Sequence, residues 1–277
     1  MSDYNHSTPI DLIAVDVDGT LLNTHHEITP RTESALQEAI RRGIKVVIAT
    51  GRPRLTTLPV LNKLQLTTPG VFMQGLNIYN ADGTLRHNTY MAAEIAKHAI
   101  EFIVACDLTV VLYNGDMIAT RRRNALTNTL QSYAEHPPTE WGDQLVDLPA
   151  AHPVNKLIII DDPARIPDIR RDLLAHLGEE RASVLTSLPQ FLEVLPRGTS
   201  KGAGLAWLLK DMGVSPERVL AIGDGENDIE MLELAGVGVA MANGHEHLKR
   251  VANYITLTND QDGVAHAIKT FIFGQHT

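Results

Sequence analysis

The chain has 277 residues and one cysteine, Cys106. A lone thiol closes no internal disulfide, so the fold rests on its core, and a reducing compartment is the simplest setting. Cys106 lies in the apolar run IEFIVACDL and reads as a core residue, with no neighbour placed to activate it. Apolar runs are short. None approaches the roughly 20 residues that a membrane helix needs. The first residues, MSDYNHSTP, are polar and lack the apolar centre of a secretory signal. Basic residues are in deficit, 24 Lys and Arg against 33 Asp and Glu, for a formal net charge of −9. That balance weighs against nucleic acid or an anionic membrane as partner, although local charge can still serve an anionic substrate. There is no internal repeat and no low-complexity segment. His25 and His26 belong to no HxH or HExxH spacing of the kind that marks a zinc site, so they read as loop residues. A soluble, cytoplasmic protein is expected, and its oligomeric state is not legible.

The hydrophobic share, 44%, is enough for a real core, and its pattern is informative. IDLIAV (10–15) is a short, continuous, β-branched run, as in a strand buried on both faces. Thr29 and Pro30 open a helix with a capping hydroxyl and a proline in the first turn, and Gly43 stops it. IKVVIAT (44–50) is a second strand, so the unit is β-α-β with parallel strands and a right-handed crossover. Towards the other end, KGAGLAWLLKDMG (201–213) is helical, with Trp207 read as core. RVLAIGD (218–224) is a strand, ENDIEMLELAG (226–236) a helix and VGVAM (237–241) a strand. Both ends therefore read as one α/β domain with a doubly wound parallel sheet.

The middle differs. TVVLYNGD, NKLIIIDD and FLEVLP read as strands, AAEIAKHAIEFIVAC and ARIPDIRRDLLAHLG as helices, and HPPTEWGDQ as a loop. The expected organisation is a core of residues 1–84 and 196–277, with residues 85–195 as an inserted α+β domain.

The first strand ends in DVDGTLL. Two carboxylates, Asp16 and Asp18, stand two residues apart where ligands of open α/β sheets bind, and Gly19 turns the chain at once. Asp224 and Asp228 arrive at another strand end, in GDGEND. Four converging acids repel one another, and a hard divalent cation such as Mg²⁺ resolves that with carboxylate oxygens as ligands. Thr50 and Gly51 end the second strand with a hydroxyl and a backbone N–H, a pair suited to phosphate oxygens or to an ordinary turn. Lys201 at a helix N-terminus can offset the acids and a phosphate. Asn227 shares the turn of Asp228.

In this order, DVDGTLL, ATGR, SKG and GDGENDIEML resemble the motifs of the haloacid dehalogenase superfamily of phosphohydrolases. The match is nearest to its Cof-type branch of Mg²⁺-dependent sugar-phosphate phosphatases, which carry a large α/β cap between the second and third motifs. The resemblance includes LEVLPRGTSKG, GVGVAMANG and NDQDGVAHAI. One departure is Gln74-Gly75-Leu76 where members often have Asn-Gly-Ala, which puts substrate preference in question.

The resemblance implies a Rossmann-like catalytic core and a small phosphorylated metabolite as partner. It implies Asp16 as nucleophile, forming an aspartyl-phosphate, and Asp18 as general acid and base. Mg²⁺ would be bound by Asp16, the backbone carbonyl of Asp18, Asp224 and, directly or through water, Asp228. Thr50, Gly51 and Lys201 would hold phosphoryl oxygens, and Asn227 phosphate or water. The cap would close over the site and choose the leaving group. Arg52 is a candidate substrate contact or else a surface ion pair. Arg121-Arg122-Arg123, Asn155 and Lys156 are weaker candidates. The alternatives are a phosphomutase on the same scaffold and a phosphosugar-binding regulator without turnover.

Overall fold

The structure, a computed structural model, describes residues 8–133 and 135–274. The polar stretch at the start of the chain therefore lies almost wholly outside the described residues. The chain divides into two compact units, one formed by residues up to His87 with those from Ser200 onward, the other by Asn88–Thr199. The crossings fall three to four residues beyond 84/85 and 195/196. Leu85–Asn88 is still a strand of a three-stranded sheet with Gly70–Phe72 and Asn77–Tyr79, and the strand Phe191–Pro196 runs past the second expected boundary.

The first unit holds a five-stranded parallel sheet. Its order is Tyr254–Ile255, Val237–Ala240, Val219–Gly223, Leu12–Val15, Lys45–Ile48. The central strands are apolar at every position because both faces are covered. Ile13, Val15, Leu220 and Ile222 pack on one side with the helices Pro30–Arg41 and Gly263–Phe271. Leu12, Ala14, Val219 and Ala221 pack on the other with Leu205, Leu208 and Leu209 of the helix Lys201–Met212. Alternate residues of one strand thus feed two cores. This is the doubly wound α/β core expected. Thr29 caps the first helix, its hydroxyl accepting from Thr32 N–H at 3.2 Å.

The second unit is an α+β domain. Its six strands run in the order Ala182–Leu188, Phe191–Pro196, Lys156–Ile160, Thr109–Asn114, Met117–Thr120, Thr139–Glu140, antiparallel except for the last pair. Val110, Leu112, Leu157, Ile159, Leu192 and Val194 face the helices Ala93–Ala105 and Ile166–Leu177. The alternate positions are unlike them. Lys156 is buried and donates to Glu193 at 2.7 Å, with its ammonium 5.1 Å above the Tyr113 ring. The Tyr113 hydroxyl donates to Glu135 at 2.6 Å. Asn155, also buried, donates to Asn88 and to the Thr89 carbonyl and accepts from Gly115 N–H.

Three readings need correction. Cys106 is exposed, not core. The helix ends at Ala105, Cys106 is its C-cap, and the chain turns away at Asp107 with φ of 50°, so the buried face Ala96, Ala99, Ile100, Ile103 stops one turn short. Trp207 is half-buried on the edge of its cluster, stacked on His87 at 4.6 Å. The helix read over 226–236 is a 3₁₀ turn, Glu226–Asp228, followed by Ile229–Leu234. Arg121, Arg122 and Arg123 pair with Asp107, Asp143 and Glu140 at the surface. Among the described residues no helix is long and apolar enough to cross a membrane.

Breaking a buried ion pair leaves an uncompensated charge, at a cost of about 3–5 kcal/mol. Lys156→Met is accordingly expected to destabilise the second unit by about that amount, read from its denaturant midpoint.

Candidate active site

Asp16 follows the strand Leu12–Val15, its N–H bonded to the Ile222 carbonyl at 3.0 Å. Asp224 follows the neighbouring strand Val219–Gly223. Parallel pairing of Val15 with Ile222 brings the two acids to the same edge of the sheet. Asp228 reaches them from the 3₁₀ turn and is wholly buried. Its Oδ2 accepts from Asp224 N–H and Gly225 N–H, each at 3.0 Å, so the turn's own backbone fixes the carboxylate. Each of the three acids offers an oxygen within 4.8 Å of the others.

Lys201 is the first residue of its helix, behind the N-cap Ser200, whose hydroxyl accepts from Ala203 N–H at 3.0 Å. Its ammonium donates to Asp16 Oδ1 at 2.6 Å and to Asp228 Oδ1 at 2.8 Å, and only 2% of its side chain is exposed. Burial works against the Lys201 charge, but Asp16 and Asp228 outweigh it and hold its pKa above the ordinary lysine value. The acids remain in excess, three against one ammonium. Burial pushes Asp16 well above the carboxylate range, Lys201 pulls it down, and Asp228 and Asp224 push it up again. Asp224 is raised to about 6 by burial and by Asp228, although Thr20 donates to its Oδ1 at 2.9 Å.

The group fits a hard divalent cation. Its donors are all carboxylate oxygens, they converge within one ion's reach, and burial together with their mutual repulsion already raises two proton affinities. Gly19 makes the approach possible. Its φ is +75°, and a methyl group there would lie 2.3 Å from Asp224 Oδ2.

The carboxylate of Asp18 stands outside this group. Arg52 Nε donates to Asp18 Oδ2 at 2.6 Å, and Arg52 Nη2 donates to Oδ1. Arg52 is thus no surface pair, since only 10% of its side chain is exposed. Thr50 is buried, and its Oγ1 accepts from Arg52 N–H at 3.1 Å. Asn227 donates to Gln74 Oε1 at 3.1 Å. A methyl group at Gly51 would meet Gln74 Nε2 at 2.6 Å. Gln74 therefore joins the Thr50–Arg52 loop to the Asp228 turn. It is buried and left-handed at φ 59°, as is Met73 at φ 51°.

The motifs left three of these parts without a role. Thr20 lies inside DVDGTLL, yet only the fold brings it to Asp224. Gln74 stood out as a departure from the pattern, not as a bridge. Glu230 accepts from the hydroxyl of Ser200, the cap of the Lys201 helix, and no local pattern pairs residues that far apart.

The sequence profile of the haloacid dehalogenase-like hydrolases matches residues 13–268. The chain belongs to that family. A solved haloacid dehalogenase-like hydrolase from Bacteroides thetaiotaomicron is similar to this hydrolase, with 35% identity and a TM-score of 0.80, over 94% of this chain and 99% of that one. The 5-amino-6-(5-phospho-D-ribitylamino)uracil phosphatase YcsE of Bacillus subtilis is 30% identical over 98% of this chain and 100% of its own length. The chloroplastic endoribonuclease YBEY of Arabidopsis thaliana is 37% identical over 94% of this chain. This chain spans only 46% of that protein's length, so the activity in that name does not pass to it. The superfamily and the Cof-type branch expected from the motif order are borne out, and within them the chain stands among phosphatases.

The raised pKa of Asp224 carries a signed consequence. A carboxyl whose folded pKa is raised contributes stability below its unfolded pKa of ~3.9, and that contribution is lost as pH climbs through about 6. In chelator-treated protein, Asp224→Asn and wild type are expected to melt alike near pH 4. The variant should melt increasingly higher towards pH 7, in thermal scans across that window.

Proposed function

We propose that this hydrolase is a Mg²⁺-dependent phosphatase of small phosphate monoesters, sugar phosphates foremost, and that it works through a phosphorylated Asp16. The observation that carries the reading is the Lys201 ammonium 2.6 Å from Asp16 Oδ1, inside a buried group of three acids at the strand ends. A carboxylate attacks only when ionised. Burial opposes that state in Asp16 and Lys201 favours it.

In the first step a lone pair of Asp16 forms the O–P bond while the bond from phosphorus to the leaving alcohol breaks. Asp18 gives its proton to the leaving oxygen. In the second step water attacks the phosphorus of the acyl phosphate, Asp18 takes the water's proton, and the bond to Asp16 breaks to release phosphate. Support for Asp18 in this role is its place two residues on from Asp16, with its carboxylate outside the three-acid group. To pass a proton it exchanges one of its Arg52 bonds for one to the reacting oxygen. Lys201, Thr50 and the Gly51 N–H face the phosphoryl oxygens, and Asn227 is held for the same purpose by Gln74. Asp16, Asp224 and Asp228, with the Asp18 carbonyl, would hold Mg²⁺. When bound, the ion supplies the positive charge that offsets both the acids and the phosphoryl group. A ribityl phosphate is the substrate named for the Bacillus subtilis relative, and it supports a phosphorylated sugar or polyol as substrate here.

Phosphate release from p-nitrophenyl phosphate and a panel of sugar phosphates tests this. Release is expected to require Mg²⁺, to stop with chelator and to vanish in Asp16→Asn. Asp18→Asn should turn over ~10²–10⁴-fold more slowly while leaving a phosphorylated protein detectable by intact mass. Release untouched by chelator or by Asp16→Asn would overturn the reading, and an isomerised sugar phosphate in place of free phosphate would identify a mutase.

A further inference from the structure

The first unit contains a cavity of about 280 Å³ whose walls come from the helix Arg54–Leu64 and the strands Gly70–Phe72 and Asn77–Tyr79. An apolar cavity of ~150 Å³ takes up benzene, so this volume suits a single ring with a substituent. Leu58, Leu61 and Phe72 supply apolar wall. Tyr79 lines the cavity too, its ring packed edge-on against Phe72 at 5.9 Å and lying 5.8 Å from the Arg54 guanidinium.

Arg54 is the unusual group. Its Nη2 donates to the Ala81 carbonyl at 3.1 Å. Its Nε is buried and has no hydrogen-bond partner among the described residues. Arg54 also lines the cavity, and a charge-assisted bond to a carboxylate is the strongest contact its guanidinium can make there. Asp82 feels the Arg54 charge, but its carboxylate is engaged by the hydroxyl and N–H of Thr84 at 2.7 and 2.8 Å. Gln65, at the end of the helix, adds a carboxamide that can both donate and accept.

We propose that this cavity binds a flat, single-ring organic anion, an aromatic or nitrogen-heterocyclic carboxylate. Its carboxylate sits on Arg54 and its ring against Tyr79. The walls lead directly into the candidate active site. Arg54 opens its helix immediately after the loop Thr50–Pro53, and Phe72 immediately precedes Met73 and Gln74. An occupant that shifts these walls moves Gly51 and Gln74, so the cavity is a regulatory site. The inference does not rest on the phosphatase reading, because binding is read without turnover.

The test is a ¹H–¹⁵N NMR titration of the whole chain with nicotinate and with benzoate. The Arg54 Nε–H and the amides of Leu58, Leu61 and Tyr79 are expected to shift with one Kd at or below about 1 mM, which is within reach of a ligand this small. The amides of Gly51 and Gln74 should follow with the same Kd. Arg54→Gln is expected to weaken binding about tenfold or more, and Leu58→Trp to fill the cavity and abolish it. Should Leu58→Trp fail to fold, benzyl alcohol on the wild type serves instead, and its neutral head should bind about tenfold more weakly. Absence of shifts with either acid, an unchanged Kd in Arg54→Gln, or Gly51 and Gln74 left unmoved would each overturn the proposal.

Discussion

One ammonium group holds two buried carboxylates, and the rest of the site depends on it. Lys201 donates to Asp16 and Asp228, which come from opposite ends of the chain. Each partner is delivered by a different element: the end of the strand Leu12–Val15, the first turn of a helix and a 3₁₀ turn. Removing one member of such a buried pair costs about 3–5 kcal/mol, because the other charge is stranded. The lysine alone does not balance the site, since Asp224 adds a third acid. This residual excess of negative charge is what a divalent cation would answer.

The site is therefore assembled against its own preferences and held by the scaffold. Asp16 and Asp224 are pushed up by burial. Met73 and Gln74 occupy left-handed backbone, which costs of order 1–3 kcal/mol for each such residue. The offsetting term lies in the two apolar layers on either face of the parallel sheet, where the central strands are buried along their whole length. In return Gln74 stands between Gly51 and Asn227, and the loops bearing Thr50 and Asp228 are joined through a single carboxamide.

Much of this was legible in the sequence because it is written in local pattern. Continuous β-branched runs gave the buried strands, Thr29-Pro30 and Gly43 gave the ends of the first helix, and acids directly after a strand marked the sheet edge where Asp16 and Asp224 stand. The Lys201 helix starts where SKG predicted, because Ser200 caps it. What escaped was set by distance along the chain. The bidentate pair of Arg52 with Asp18 joins residues 34 apart, and the bond from Asn227 to Gln74 joins residues 153 apart. No periodicity records either. Cys106 was misread for a related reason: apolar neighbours in sequence say nothing of where a helix stops.

The most direct test of the central claim is calorimetric titration of Mg²⁺ at pH 6, repeated in two buffers of different ionisation enthalpy. If crowded carboxylates hold protons that the ion displaces, binding should release roughly half a proton or more at that pH, and the release should shrink as pH rises through the Asp224 value of about 6. Mg²⁺ binding without proton release at pH 6, or no binding at all, would contradict the account of a proton-loaded acidic group built to receive a cation.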